Sequence, residues 1–209
     1  MPIVSTAAAI EGVKSGRVVS FPTDTVPALA AIASHGEEIF QLKHRSTDKP
    51  LILMAATLTE LLEFVDTNHA ALPIWRKVAE AKFPGAITLV LPINDRGKHL
   101  NSGFTTIGVR IPDCSIAIEL LQQTGALLTT SANKTNQPPL RQMSSIAVQF
   151  PSVLVVADRN PDRISGSGLP STVLEWTDSG WRLLRQGQVS IADLPPNNLQ
   201  DFLPEISQI

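Results

Sequence analysis

The chain has 209 residues, a length typical of one domain that can bury a sizeable core. Hydrophobic residues make up 43% and charged residues 17%, which is the balance of an ordinary soluble globular protein. The formal net charge of −2 gives no support to broad nucleic-acid binding. The single cysteine, Cys114, excludes an internal disulfide and a cysteine metal cluster, which fits a reducing, cytoplasmic compartment.

The sequence predicts neither a signal peptide nor a membrane span, and it indicates one domain followed by a tail. The N-terminal segment has mixed polarity, so we expect no signal peptide. No apolar run approaches the roughly 18 residues of a membrane span, so we expect no membrane segment. We predict one domain over residues 1–190 and a short, proline-containing tail over residues 191–209.

Strand-like and helix-like patterns alternate along the chain, which predicts an α/β layered fold. In the first half the predicted elements are a helix capped by Ser5 or Thr6 and ending at Gly16, strand Val18–Phe21, helix Gly36–His44, strand Leu51–Ala55, a capping box at Thr57–Glu60 that opens a helix to Val65, and helix Ile74–Lys82. In the second half they are strands Ala86–Leu91 and Thr106–Ile111, helix Ile116–Gln123 capped by Ser115, strand Leu127–Thr130, helix Ser144–Phe150, strand Val153–Ala157, and a strand pair Ser171–Trp176 and Trp181–Arg185.

Polar residues recur directly after the predicted strands. They are Thr23–Thr25, Arg110, Thr130–Asn133, Ser171–Thr172 and Arg185. Each cluster alone is typical of turn and cap chemistry. Together they could line one cleft at a sheet edge, where hydroxyls, amides and cations would suit a nucleotide and a small zwitterion.

Two cations, Lys43 and Arg45, flank a histidine after the second predicted helix. This pair suits an anionic partner such as a phosphate, although cations at a helix C-terminus are also typical of a solvated end. The glycine-rich loop Ser165–Gly168 could approach a ligand closely. No Walker A motif, dinucleotide fingerprint or G-x-S-x-G elbow is present, and the histidines lack metal-ligand spacing, so we predict no protein-held metal.

The ordered set of motifs resembles the YrdC-like family, the threonylcarbamoyl-AMP synthases. The matching segments are FPTDTV (Phe21–Val26), KHR (Lys43–Arg45), KPLIL (Lys49–Leu53), FPGAITLVL (Phe83–Leu91), TIGVRIP (Thr106–Pro112), TSAN (Thr130–Asn133), STV (Ser171–Val173) and LLRQG (Leu183–Gly187). The resemblance implies a twisted, mixed, open sheet flanked by helices, with a large concave cavity.

The resemblance also implies a reaction. L-threonine, bicarbonate and ATP would give threonylcarbamoyl-adenylate and pyrophosphate, with Mg²⁺ carried by the ATP phosphates. Partner proteins would then transfer the threonylcarbamoyl group to tRNA.

By the same resemblance, ten residues receive roles. Lys43 and Arg45 would be the catalytic cations that clamp the phosphates. The other expected contacts are Lys49, Thr106, Asn133 and Arg185 for ATP, and Thr25, Arg110, Ser131 and Ser171 for threonine.

Several positions depart from the family pattern. Pro27 and Ala28 replace a tyrosine and a glycine, Met54 stands where a histidine is common, and Cys114 replaces another histidine. These changes concern the expected threonine pocket more than the phosphate cations. They leave open two alternatives. One is a related enzyme that uses ATP with another small substrate, and the other is a diverged, non-catalytic paralog that binds nucleotide or RNA (double-stranded RNA, tRNA or the ribosome).

Overall fold

One mixed sheet organises the computed structural model, which describes residues 3–100, 103–157, 160–190 and 192. Its ten strands within those ranges are β1 (Ile3–Val4), β2 (Val19–Phe21), β3 (Ala28–Ala31), β4 (Ile52–Met54), β5 (Ile87–Pro92), β6 (Thr106–Arg110), β7 (Leu127–Ser131), β8 (Leu154–Val156), β9 (Thr172–Thr177) and β10 (Gly180–Arg185). Parallel and antiparallel pairs alternate irregularly across the order β1-β8-β2-β3-β7-β4-β6-β5-β9-β10. The α/β fold and the mixed sheet flanked by helices are therefore confirmed.

Helices fill the connections between the strands. They are α1 (Thr6–Lys14), α2 (Gly36–Lys43), α3 (Leu58–Leu62), α4 (Leu72–Lys82), α5 (Asp95–Lys98), α6 (Ser115–Thr124) and α7 (Met143–Gln149), with a short 3-10 turn over Ala33–His35. Among the described residues, no helix combines the length and the apolar character needed to cross a bilayer.

Local sequence signals explain where several helices begin and end. The Ser5 side chain caps α1 by accepting a hydrogen bond from the backbone N–H of Ala8. The capping box predicted at Thr57 and Glu60 forms in both directions, at 3.3 Å and 2.9 Å. Gly16 ends the first helix with a φ of +83°, a left-handed conformation that glycine adopts without strain.

Successive residues of each strand point to opposite faces of the sheet, so the core has two parts. Residues of α2, α3, α4 and α7 pack on one face, against side chains such as Leu29, Leu53 and Leu128. Residues of α1 and α6 pack on the other face, against Phe21 and Leu127 among others. This second face also holds the cavity described below.

Three elements were missed from the sequence: β1, β3 and α5. Strand β3 is the most important because it pairs with β2 on one side and β7 on the other, in the centre of the sheet. Its sequence, Ala28–Ala31, is rich in alanine, which has weak β propensity, so pairing and burial determine its conformation.

Most predicted boundaries differ from the observed ones by one or two residues, and two differences concern helix ends. Ser115 is the first residue of α6, and the capping position belongs to Cys114, whose side chain makes no capping bond. Helix α3 ends at Leu62, and Val65, the predicted last residue, instead forms an isolated bridge with Ile93. The predicted domain limit at residue 190 stays a prediction, and the predicted tail, apart from Ala192, lies outside the described residues.

Candidate functional site

A cavity of about 400 Å³ opens on the sheet face that α1 and α6 leave uncovered. Strands β3, β4, β6, β7 and β10 and neighbouring loops line it, and no helix residue of the described chain contributes. Six of the ten predicted site residues line this cavity: Thr25, Arg45, Arg110, Ser131, Ser171 and Arg185. The sheet order thus brings together polar clusters from distant parts of the sequence.

Arg110 is the most buried cation of the cavity, with only 3% of its surface exposed. Its Nε donates to the carbonyl oxygen of Gly85 at 3.1 Å, Nη1 donates to Thr25 Oγ1 at 2.9 Å, and Nη2 donates to Asp24 Oδ1 at 2.5 Å. Burial lowers the pKa of Arg110, while the Asp24 carboxylate opposes that shift. The guanidinium stays charged, so the cavity contains a rigidly held cation.

Asp24 was not among the predicted site residues. Its carboxylate also accepts a hydrogen bond from the backbone N–H of Asp113 at 3.2 Å, which ties it to the loop after β6. The sequence Thr23–Thr25, called the TDT segment below, indicated a polar cluster, but only the fold shows that the Asp24 carboxylate pairs with Arg110. Asp24 therefore orients the arginine without lining the cavity itself.

Ser171 and Arg185 form a second polar group at the edge of the cavity. Ser171 Oγ shares a 2.8 Å hydrogen bond with Thr88 Oγ1, and its carbonyl oxygen accepts from Nε and Nη2 of Arg185 at 3.1 Å and 2.9 Å. These bonds hold the exposed Arg185 over the cavity.

Arg45 lies at the cavity wall just after α2. Its Nη2 donates to the carbonyl oxygens of Lys49 and Pro50 at 3.1 Å and 3.2 Å, and its Nη1 contacts Thr130 Oγ1 at 3.5 Å. Partial burial lowers the pKa of Arg45, and nearby Asp48 opposes the shift. The short loop between α2 and β4 therefore fixes this cation beside the cavity.

Lys43 lies apart from the lining residues. It is 2% exposed, and its ammonium donates to the carbonyl oxygens of Ser131 and Asn133 at 2.5 Å and 2.6 Å. Burial, followed by the charge of Arg45, lowers its pKa to about 8. The alternative of a solvated helix end therefore does not apply to Lys43, whose ammonium links α2 to the segment after β7. Its expected role as a phosphate cation stays a prediction.

The remaining predicted ATP contacts lie outside the cavity lining. Asn133 is bound within the protein, since its Oδ1 accepts from Ser131 Oγ at 2.5 Å and its Nδ2 donates to the carbonyl oxygen of Gln137 at 2.6 Å. Lys49 is exposed, and its carbonyl oxygen is bound by Arg45. Thr106 begins β6 whereas Arg110 ends it, which separates the two by roughly 13 Å.

The charged side chains that line the described cavity are all positive. Its described lining contains three arginines and no acidic side chain. Such an arrangement favours a polyanionic ligand and can neutralise developing negative charge. No group of three or more histidine, cysteine, aspartate or glutamate side chains that could hold a metal occurs within the described ranges.

The glycine-rich loop closes one side of the cavity. The backbone N–H groups of Ser167 and Gly168 donate to the carbonyl oxygens of Asp24 and Thr25, each at 2.9 Å. A Cβ on Gly166, whose φ is +64°, would lie 2.2 Å from the Thr25 carbonyl oxygen. The loop therefore lies close against residues Asp24 and Thr25 of the protein itself, and its approach to a ligand stays a prediction.

Apolar side chains that line the cavity were not predicted from the sequence. Ile52 and Met54 lie on the cavity side of β4, and Ala28 lies on that of β3. Their alternation with core residues could have indicated a second face, but only the strand order shows that this face borders a cavity.

The chain matches the Sua5/YciO/YrdC family model, described as telomere recombination, over residues 11–187. It is 32% identical over 183 residues to a threonylcarbamoyl-AMP synthase of Vibrio campbellii, an alignment that covers 85% of this chain and 96% of the relative. A Bacillus subtilis threonylcarbamoyl-AMP synthase is 30% identical over 196 residues, which cover 90% of this chain and 54% of that protein.

A solved structure agrees with these matches. Sua5 of P. abyssi in complex with L-threonine superposes with a TM-score of 0.79 at 27% identity, covering 90% of this chain and 55% of the Sua5 chain. This chain thus spans nearly all of one relative and about half of the two longer ones. The shared fold and the family match over most of its length show that the chain belongs to the Sua5/YciO/YrdC family.

Proposed function

We propose that this chain is a threonylcarbamoyl-AMP synthase. It would join L-threonine and bicarbonate to the adenylyl group of ATP, forming threonylcarbamoyl-adenylate and releasing pyrophosphate. The observation that supports this best is the cavity of about 400 Å³ with three arginines and no acidic lining side chain. The relatives named threonylcarbamoyl-AMP synthase and the threonine complex of Sua5 point to the same reaction.

The proposed chemistry needs no side-chain nucleophile. The threonine amine attacks the carbon of bicarbonate, and loss of water gives a carbamate. A carbamate oxygen then attacks the α-phosphorus of ATP, and the bond to pyrophosphate breaks. Positioning of the two reactants and neutralisation of the departing charge would provide the rate enhancement.

The lining residues divide between the two substrates in this proposal. Arg110, Thr25, Ser131 and Ser171 would hold the amino acid, with Arg110 pairing its carboxylate. Lys43 and Arg45 would be the catalytic cations at the phosphates. Arg185, Asn133, Lys49 and Thr106 would contact the rest of ATP, and its binding would rearrange the segments that carry Lys43, Asn133, Lys49 and Thr106. Mg²⁺ would enter as the counter-ion of ATP.

We further propose that the adenylate serves tRNA modification in the cytoplasm, where partner proteins transfer the threonylcarbamoyl group to tRNA. This step rests on the relatives' names and on the chemistry of an activated acyl donor.

The alternative of an RNA-binding paralog receives less support from the geometry. It needs the cations Lys43, Arg45, Lys49, Arg110, Arg141 and Arg185 to form one accessible face. Lys43 and Arg110 are only 2% and 3% exposed, and their charged groups are bound to protein atoms. They are therefore poorly placed to contact the backbone phosphates of an RNA.

The test is pyrophosphate release from Mg²⁺–ATP by purified protein, with the adenylate identified by mass spectrometry. We expect release that requires both L-threonine and bicarbonate. Release that ignores threonine, or no release above background, would overturn the proposal. Binding of RNA to the inactive protein with a steep salt dependence would then favour the alternative.

A further inference from the structure

The part of the cavity that we propose binds the amino acid has an apolar wall next to Arg110, the most buried cation of the cavity. Strands β4 and β6 are parallel neighbours in which Met54 is the register partner of Arg110. Ile52, two residues earlier in β4, lies on the same face and also lines the cavity. Met54 is 5% exposed, so its thioether forms part of a largely enclosed wall.

Arg110 retains donors for a ligand. Three of its five N–H groups are used by Gly85, Thr25 and Asp24, which leaves two for a substrate carboxylate. The side chain of an α-amino acid is attached one carbon away from its carboxylate. A carboxylate on Arg110 therefore directs that side chain to the neighbouring positions of the sheet, of which Met54 is one.

The hydroxyl groups of the cavity are already paired within the protein. Thr129 Oγ1 donates to the carbonyl oxygen of Ile52 at 3.0 Å, and Ser131 Oγ donates to Asn133 Oδ1 at 2.5 Å. Thr25 is held by Thr23 and Arg110, and Ser171 is held by Thr88 and Arg185. The fifth lining hydroxyl, Thr130 Oγ1, accepts from Arg45 Nη1 at 3.5 Å. The described lining contains no carboxylate, carboxamide or imidazole side chain.

This pairing has a consequence for specificity. An enzyme rejects an analogue that lacks a hydroxyl when the missing group leaves a buried polar atom of the site unpaired. Threonine and valine have nearly the same shape and differ by one hydroxyl in place of one methyl. Because the hydroxyls here keep their protein partners, bound valine leaves none of them unpaired.

We infer that the cavity accepts β-branched apolar amino acids as well as threonine, with Met54 as a specificity-determining residue. This inference rests on the proposed function. The valine amine would react with bicarbonate, losing water, and the resulting carbamate would displace pyrophosphate from ATP. The product is valylcarbamoyl-adenylate.

The test compares kcat/KM for L-threonine and L-valine in pyrophosphate release, with each adenylate identified by mass spectrometry. We expect the threonine-to-valine ratio to be below 10. A ratio of 10 or more overturns the inference but leaves the proposed function intact. Absence of turnover with every amino acid overturns the proposed function and the inference together.

Two variants test the assignment to Met54. Met54→Gln keeps the length of the side chain but adds a polar group, and we expect the threonine-to-valine ratio to rise at least fivefold. Met54→Leu stays apolar and is the matched control, which should keep the ratio of the parent protein. An equal ratio in both variants would remove Met54 from the specificity mechanism. Thermal melting of each variant separates an altered pocket from an unfolded chain.

Discussion

Arg110 and Asp24 form a buried ion pair behind the cavity, joining the end of β6 to the loop after β2. Their side chains are 4% and 13% exposed, and the joining atoms are 2.5 Å apart. This pair holds the only arginine of the described cavity that is almost fully buried. It links folding to the site, because the same contact ties the loop after β2 to the end of β6 and orients the cation that we propose binds the substrate carboxylate.

Removing the Asp24 carboxylate should destabilise the fold. Asp24→Ala leaves the Arg110 charge buried without its partner, for which we expect a loss of about 3 kcal/mol in the free energy of unfolding, measured in urea. The control is Glu11→Ala, which breaks the exposed pair between Glu11 and Lys14 and should cost less than about 1 kcal/mol. Equal losses in the two variants would contradict the buried-pair account.

The lowered pKa of Lys43 predicts a pH-dependent stability. Its folded value is about 8 against an ordinary value of 10.5, so the unfolded chain binds more protons between these two pH values. Raising the pH through this window should therefore stabilise the folded protein, by up to about 3 kcal/mol for this one group.

Lys43→Met is the reference for that measurement because it lacks the titrating group, while the other lysines and Cys114 titrate in both proteins. From pH 8 to 10.5, the free energy of unfolding of the parent protein should rise relative to that of the Lys43→Met variant. The prediction is refuted if the free energies of unfolding of the two proteins change equally with pH. It is also refuted if an NMR titration shows that Lys43 has its ordinary pKa.

Arg45 should matter more for catalysis than for folding. Its bonds to the Lys49 and Pro50 carbonyl oxygens are exposed to solvent, so Arg45→Ala should cost about 1 kcal/mol of stability. Loss of a cation at the phosphates should reduce kcat/KM for ATP by about 100-fold or more. Arg76→Ala, an exposed arginine of α4 outside the cavity, should leave both quantities near the parent values.

Gly166→Ala should displace the glycine-rich loop from the TDT segment. The new Cβ would lie 2.2 Å from the Thr25 carbonyl oxygen, in addition to the strain of a φ of +64°. Gly125→Ala is the matched control, because its φ is +75° but no atom lies within 4 Å of the added Cβ. We expect Gly125→Ala to cost about 1–3 kcal/mol through conformation alone, because its φ of +75° and ψ of −167° lie in a region that only glycine adopts readily. Gly166→Ala should cost more and raise KM for threonine, whereas equal stability and unchanged KM would argue against a role for the loop.

The local sequence determined most secondary-structure elements and the family. Apolar periodicity, the Thr57–Glu60 capping box and the closely spaced strand pair Ser171–Trp176 and Trp181–Arg185 are local signals, and the elements that they predict appear in the structure. Strand β3 was missed because its alanines have little intrinsic preference for a strand. Its conformation depends on pairing with β2 and β7, which no short window of sequence contains.

The composition of the site was decided by tertiary structure. Lys43 and Arg45 are separated by one residue, yet one ammonium is buried against Asn133 while the other cation lines the cavity. Thr106 and Arg110 belong to one motif, but they lie at opposite ends of a strand. Met54 becomes a neighbour of Arg110 only through the pairing of β4 with β6. Sequence patterns report local conformation and motif order, whereas contacts between distant residues depend on how the strands are arranged in the sheet.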